Sequence, residues 1–417
     1  MTLAPMKDRS LLHLGLAAFA LRAVLAWLTE SHPIFPSYYF NDSRLYDSIA
    51  WEFAQYWSGL GPKPTWMPPY AVYQCLLGAF YSLVGHQVLA AKLLNALLGT
   101  ATAVLIGGLG RRLFDRSWGT AAGWAFALMP SCIFFNSQIH KDNIILALAF
   151  GALSLLASAS DRLAEDQPAL GPLAGAAALL LAGTLFRLPV MMVLAAAFAL
   201  AQGLQWLRTR RVPTRAGLQV ALFLAVMIGG RQAVFQLAFA PHSGQSDAVL
   251  DRIQASSVEI RSTPITPHSL SEFRNSRQEE TARLGRTVQT LILPEAKLDS
   301  WLDIALFLPR GFFYAAFMPL PGLYPIDGNL GRLGAAVENA AALLLALLGL
   351  WGAVAVRKSS SHWVVLFSFC GLAGLSALVE IDLGSAARHK LQYLPLLFLF
   401  AAAALPRLRD RCLRRPG

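Results

Sequence analysis

Three carboxylates, Asp42, Asp47 and Glu52, fall within YYFNDSRLYDSIAWEFAQYW at residues 38 to 57, directly after the first apolar segment of a very apolar chain. Asp42, Tyr46 and Ala50 recur at i, i+4 and i+8, which puts them on one helix face, while Phe53, Tyr56 and Trp57 suit the headgroup level of a membrane. An acid at the start of such an interfacial helix either caps it or does chemistry beside the membrane. Asp142 stands at the end of the short polar turn NSQIHKDN, again before an apolar run, where capping is the alternative to function. Arg388, His389 and Lys390 lead into the last apolar run, with Tyr393 just after them. Solvation alone explains such consecutive cations beside an apolar run poorly, whereas a phosphate ligand would explain them. Arg22, Lys92 and Arg187 lie inside or at the ends of apolar runs, where a charge costs ~3 kcal/mol at mid-membrane. Each either snorkels to the headgroups or has a functional partner there.

The scaffold that must position these residues follows from composition. Of 417 residues, 55% are hydrophobic and only 14% charged, the balance of a polytopic membrane protein and not of a large soluble core. The formal charge of +11 does not point to nucleic acid, because Lys and Arg cluster in short segments between apolar runs. Cys75, Cys132, Cys370 and Cys412 stand far apart without CxxC or Cys/His spacing, so neither a zinc site nor a disulfide framework is expected. The N-terminus has a basic flank and an apolar run without a small-residue cleavage motif, which reads as a retained first span.

Runs of the roughly 20 apolar residues needed to cross a bilayer lie near 11–28, 88–110, 118–136, 142–160, 170–186, 189–207, 216–239, 334–356, 362–380 and 391–406. The stretches 69–84 and 302–320 are ambiguous. With ten spans and neither of these crossing, RRLFDR at 111–116, RTRRVPTR at 208–215, Arg357 with Lys358, and both termini share one side, the cytoplasm by the positive-inside rule. The opposite face then collects residues 29–87, the Asp142 turn, Arg187, a polar loop of roughly 240–300 and EIDLGSAARHKLQY. The expected organisation is a transmembrane catalytic module over 1–240 with its first outer loop at 29–87, a polar outer loop at 241–300, and a C-terminal transmembrane part over 301–417 with an outer basic motif at 385–393.

In order along the chain, NDSRLYDSIAWEFA, TWMPPYAVYQCLLGAFYSLVG, AAKLLNALLGTATAVLIGGLGRRLFD, MPSCIFFNSQIHKDN and GSAARHKLQYLPLLFLFAAAAL resemble the GT-C glycosyltransferases. The branch most resembled contains the protein O-mannosyltransferases and aminoarabinose transferases, polytopic enzymes that use polyprenyl-phosphate-linked sugars. The chain departs from the aminoarabinose transferases in lacking an acid and a lysine immediately before Pro68–Pro69, so the sugar does not carry over. The resemblance implies an all-α protein of about ten transmembrane helices with interfacial helices in its first outer loop. It also implies transfer of a sugar from a polyprenyl phosphate to a glycan, lipid or protein acceptor, among membrane lipids, on the outer face of a bacterial cytoplasmic membrane.

Under that resemblance, Asp42 is the expected base, Asp142 orients the acceptor or a neighbouring side chain, and Arg388 and Lys390 bind the donor phosphate, with His389, Lys92 and Arg187 beside them. Tyr46 and Tyr393 are expected at the substrate. Asp47 points about 140° away from Asp42 on the helical wheel, at 100° per residue. No metal and no other cofactor is expected, and no nucleic acid. The competing readings are a surface-polysaccharide polymerase or ligase with diphosphate-linked donors, whose sign is a large Arg- and His-dominated outer loop, and a transporter or flippase of lipid-linked sugars, whose sign is an internal repeat. Neither sign is present in the sequence.

Overall fold

The apolar runs fold as helices in a computed structural model that describes residues 9–32, 35, 40–64, 70–114, 118–210, 213–239, 266–283, 291–324, 330–355 and 359–413. Among the described residues seven helices are long and apolar enough to cross a membrane. They are α1 (Ser10–Ser31), α4 (Val88–Leu113), α7 (Asp142–Ala164), α8 (Leu170–Thr209), α9 (Thr214–Phe239), α12 (Leu330–Ala355) and α13 (Ser360–Val379). Their outward faces carry Leu12, Leu16 and Val24 on α1, Leu218, Leu222 and Ile228 on α9, and Leu344 and Leu347 on α12, all exposed as lipid-facing side chains are. The protein is an all-α polytopic membrane protein.

The other sequence-read spans are also helical, and local chemistry explains the breaks in two of the helical stretches. The run 118–136 forms α5 (Ala121–Leu128) and α6 (Pro130–Asn136), separated at Met129, which is extended (φ −64, ψ 122) because the following proline disfavours a helical conformation there. The 40-residue α8 spans both 170–186 and 189–207. Its helix breaks at Arg187 (φ −157, ψ 85), just before Pro189, which has no N–H to continue the ladder. A Cβ on Gly183 would lie 2.8 Å from Cγ of Met191. Eight residues of straight helix rise ~12 Å, so the chain reverses at Arg187 as a helical hairpin. The last run lies in α15 (Leu394–Leu413).

The two ambiguous stretches are α3 (Ala71–Val84) and α11 (Trp301–Phe317), and neither is among the seven long apolar helices. At 14 residues, α3 reaches only ~21 Å. It packs on α2 (Asn41–Trp57), whose buried face is Ser43, Tyr46, Ile49, Ala50, Phe53 and Ala54. Gly78 permits the contact, since a Cβ there would meet the Ala50 carbonyl and the Phe53 side chain at 2.8 Å. The remaining helices are α10 (Pro267–Arg283) and α14 (Leu383–His389), the latter running into a 3-10 turn at Lys390–Gln392. Pro68 and Pro69, and most of the 240–300 loop, lie outside the described residues.

Helix α7 is central, packed along α8, α4 and α13, while α15 lies along α12 and α1 along α4. Small residues allow the closest approaches: Cβ atoms on Gly349 and Gly352 would come within 2.4 and 2.1 Å of carbonyl oxygens of α15. Polar contacts then sort to two ends of the bundle. At one end Arg111 reaches Ser10 (3.3 Å), Arg112 pairs with Asp161 (3.4 Å), Gln202 reaches Ser160 (2.6 Å) and Arg208 covers Trp363. At the other end Lys92, Asp142, Arg187 and Arg388 find their partners, and α2 and α3 lie there too.

Candidate functional site

Asp42 sits in the first turn of α2, but no side chain caps that helix, whose N-cap residue is Phe40. Its carboxylate instead accepts from Nη1 of Arg388 at 2.5 Å, across 346 residues of sequence. Arg388 is held by α14, a helix N-capped by Asp382, which accepts from the Ser385 amide at 3.2 Å. Arg388 and His389 occupy the last turn of α14, where cations complement the helix dipole. The Asp42 side chain keeps 45% of its surface exposed, against 18% for Arg388, so the pair is open on the acid's side.

Asp142 opens α7, again with no side-chain cap at that terminus, and its carboxylate faces Nη1 of Arg187 at 3.5 Å. Arg187 projects from the reversal in α8, and its Nη2 donates to Nε2 of His389 at 2.5 Å. That assigns the acceptor role to Nε2, so Nδ1 of His389 carries the proton it shares with the Glu380 carboxylate. Four groups from four elements thus form one chain, Glu380 to His389 to Arg187 to Asp142, with the Arg388–Asp42 pair beside it.

Tyr46 is buried under the acid, edge-on to Tyr70, Tyr73 and His140 at 5.3–6.1 Å. Asp47 lies on a different surface, accepting from Tyr81 Oη at 2.5 Å and pairing with His86 at 3.1 Å, which ties α2 to the turn after α3. The structure does not gather the other sequence-read residues with the Asp42 pair. Lys390 is enclosed, donating to Glu338 at 3.1 Å and Asn339 at 2.6 Å, and the other Glu338 oxygen accepts from the Ser131 amide at the start of α6. Lys92 pairs with Glu30 at 2.7 Å. Tyr393 is buried in the core near Phe312. Arg22, buried in α1, donates to Asn136 Oδ1 and to the carbonyls of Ala18 and Ala127.

Burial and neighbouring charges set the protonation states here. Burial opposes the charge on Arg388, but Asp142 and Asp42 outweigh it and hold its pKa above the ordinary value. Lys141 is buried with its ammonium 4.3 Å from the Tyr70 ring centroid, and burial, followed by repulsion from Arg187, pushes it down to about 7. His140 is pushed down to about 4 by burial and then by Arg388, so it is neutral at pH 7. Among the described residues no group of three or more His, Cys, Asp or Glu side chains gathers that could hold a metal ion. Each of the two acids instead faces a guanidinium.

This arrangement of helices has a counterpart among solved structures. The oligosaccharyltransferase of Archaeoglobus fulgidus, in its apo form, superposes with a TM-score of 0.56 at 14% identity. The chain is similar to that enzyme in fold. The superposition covers 98% of this chain and 51% of the archaeal enzyme, so the chain spans about half that enzyme's length. No protein-family model and no curated protein matches the sequence.

Sequence reasoning missed Glu380, Glu338, Glu30, Arg274 and Lys141. Glu338 had a signal: it is an acid within the apolar run 334–356, and an ionisable residue inside a span demands a partner. Glu380 and Arg274 had none: Glu380 reaches His389 only because the chain turns over the 9 positions that separate them, and Arg274 meets main-chain carbonyls as much as 106 residues away.

Proposed function

We propose that the protein is an integral membrane glycosyltransferase that moves a sugar from a polyprenyl-phosphate donor to a glycan, lipid or protein acceptor on the outer face of a bacterial cytoplasmic membrane. The observation that carries this reading is the Asp42–Arg388 pair, a half-exposed carboxylate and a fork of cationic donors at the non-basic end of a GT-C fold. The acceptor hydroxyl gives its proton to Asp42 as its oxygen attacks the anomeric carbon. The bond from that carbon to the phosphate oxygen breaks, and the phosphate leaves with the electron pair. Negative charge grows on the phosphate, and Arg388 and Arg187 stabilise it. Phosphate is a good leaving group, so no second carboxyl group is needed as acid, in contrast to glycoside hydrolysis.

In the free protein Arg388 holds Asp42. Donor phosphate competes for that guanidinium, and its arrival frees the carboxylate to act as base. Asp142 fixes Arg187, and Tyr46 supports the floor under the acid. Lys390 and Lys92 already have carboxylate partners in more enclosed surroundings, so they contribute to the shape of the site. Because each acid faces a guanidinium, we propose a reaction that proceeds without a metal ion.

The fold likeness to an oligosaccharyltransferase supports a second reading, in which an oligosaccharide is moved instead of a single sugar. Mass spectrometry of membrane lipids and surface glycans after deletion of the gene separates the two. Accumulation of a monosaccharide-phosphate lipid with loss of one sugar from a glycan supports the first reading. Accumulation of an oligosaccharide-linked lipid supports the second, and unchanged lipids and glycans contradict both.

A further inference from the structure

Outside the acid and cation chain, Arg274, on α10 of the polar outer loop, is a charged group with only 1% of its surface exposed. It has no carboxylate within pairing distance among the described residues. Its guanidinium instead donates to four main-chain carbonyls: Leu378 at 3.2 Å and Glu380 at 3.3 Å from Nη1, Ile292 at 3.1 Å and Leu293 at 3.3 Å from Nη2. The face of the group lies over Phe307, 5.0 Å from the ring centroid. Leu378 and Glu380 carry carbonyls at the C-terminal end of α13, where the helix itself supplies no donors and a positive charge is favoured.

The segment that Arg274 grips is held to the site by more than one bond. Leu293 has a left-handed backbone (φ 48), which a branched apolar residue keeps only when its surroundings fix it. The Ile292 amide donates to the Ile381 carbonyl at 2.8 Å, and Leu291 forms a bridge with Asp382, the residue that caps α14. Ser271 and Gln278 of α10 accept and donate to the same segment through Leu298 and Pro294. Ile292, Leu293, Leu298, Ile304, Phe307, Ala315 and Ala386 bury together as a small core apart from the main one. Arg274 therefore closes a strap across the α13–α14 junction. The residue whose carbonyl it holds, Glu380, is the one whose carboxylate orients His389, which in turn receives Arg187.

We infer that Arg274 is a positioning residue for the site: it fixes the Glu380 main chain, and through Glu380 and His389 it aims Arg187. The catalytic consequence rests on the glycosyltransferase reading; the structural link does not. The polar outer loop is thus part of the site's support, although none of its described residues touches Asp42 or Arg388.

Two measurements on the full-length protein in detergent test it. In the first, Arg274→Ala is compared with the wild type by hydrogen exchange. Amides of residues 380–389 are expected to lose protection, with those of α1 and α4 unchanged; unchanged protection of 380–389 overturns the proposal whatever the activity. The second is a double-mutant cycle with Glu380→Gln, read as kcat/KM for the lipid-phosphate donor. Arg274→Ala should lose up to ~10²-fold, as small misplacements of catalytic geometry do. The same change should cost little more when Glu380→Gln is already present. Losses that multiply fully mean that Arg274 acts on folding alone, and they overturn the proposal. If the wild-type protein transfers no sugar, the functional reading fails, and the exchange result alone decides the positioning role. Should Arg274→Ala not accumulate in folded form, Arg274→Lys, whose single ammonium can reach only one of the two carbonyl pairs, is measured in the same two ways.

Discussion

Replacing Arg388 with alanine removes the cation that the account places against the donor phosphate and leaves Asp42 without its 2.5 Å partner. The two effects differ in size. Asp42 keeps 45% of its side-chain surface exposed, and an ion pair open to solvent is worth only ~0–1 kcal/mol to folding, so the melting temperature should move little. A charge-assisted contact to a phosphate is worth about 1.5 to 3 kcal/mol. At about 1.4 kcal/mol per tenfold, its loss lowers donor kcat/KM by about 10- to 150-fold. Arg388→Lys should fall between, because an ammonium keeps the charge but not the two-pronged geometry. The assay is a donor titration at saturating acceptor with purified protein in lipid nanodiscs, alongside thermal melting. Unchanged donor KM and kcat in Arg388→Ala would refute the reasoning, and so would a loss of activity that merely follows a loss of folded protein.

Lys390→Ala should destabilise the protein by ~3–5 kcal/mol, because the Glu338 carboxylate stays buried without its cation, whereas Lys390→Met with Glu338→Leu should recover most of that; thermal melting checks both. With Lys141 pushed down to about 7, its ammonium forms as pH falls through that value, beside Asp142, Arg187, Arg388 and Asp42. Donor KM should therefore fall as pH is lowered from roughly 8 to 6, and Lys141→Met should flatten that part of the profile; an identical profile in the variant contradicts it. A cysteine placed at Asp299 should react with an impermeant reagent in intact cells and one at Arg210 should not, and the reverse pattern would invert the orientation.

The helices were legible in the sequence because a bilayer imposes a composition and a length, and those are local properties. The ten apolar runs, the interfacial helix at Asp42 and the shortness of the stretch at 69–84 follow from counting residues. The break at Arg187 was also legible, since Pro189 interrupts an apolar run that would otherwise read as one long helix. Pairing was not. The consecutive cations Arg388, His389 and Lys390 read as one phosphate-binding cluster, yet a tight helical end sends them in three directions: Arg388 to Asp42, His389 to Glu380 and Arg187, Lys390 to Glu338. Neighbours in sequence are separated on a helix by about 100°, so adjacency along the chain says little about a shared ligand. Arg274 was invisible for a related reason, because its partners are main-chain carbonyls, which no residue type announces.

The central claim is that Asp42 takes the proton from the acceptor. Transfer of a labelled sugar from a polyprenyl-phosphate donor, measured with purified wild-type, Asp42→Asn and Asp47→Asn proteins of matched thermal stability, tests it most directly. Asparagine keeps the size of the side chain and can still accept a hydrogen bond from Arg388, but it cannot take the proton, so Asp42→Asn should lose ~10²- to 10⁴-fold in kcat. Asp47→Asn, which alters only the contact with Tyr81 and His86, should keep most of its activity. Transfer by Asp42→Asn at close to the wild-type rate, or loss of transfer in Asp47→Asn alone, would contradict the account.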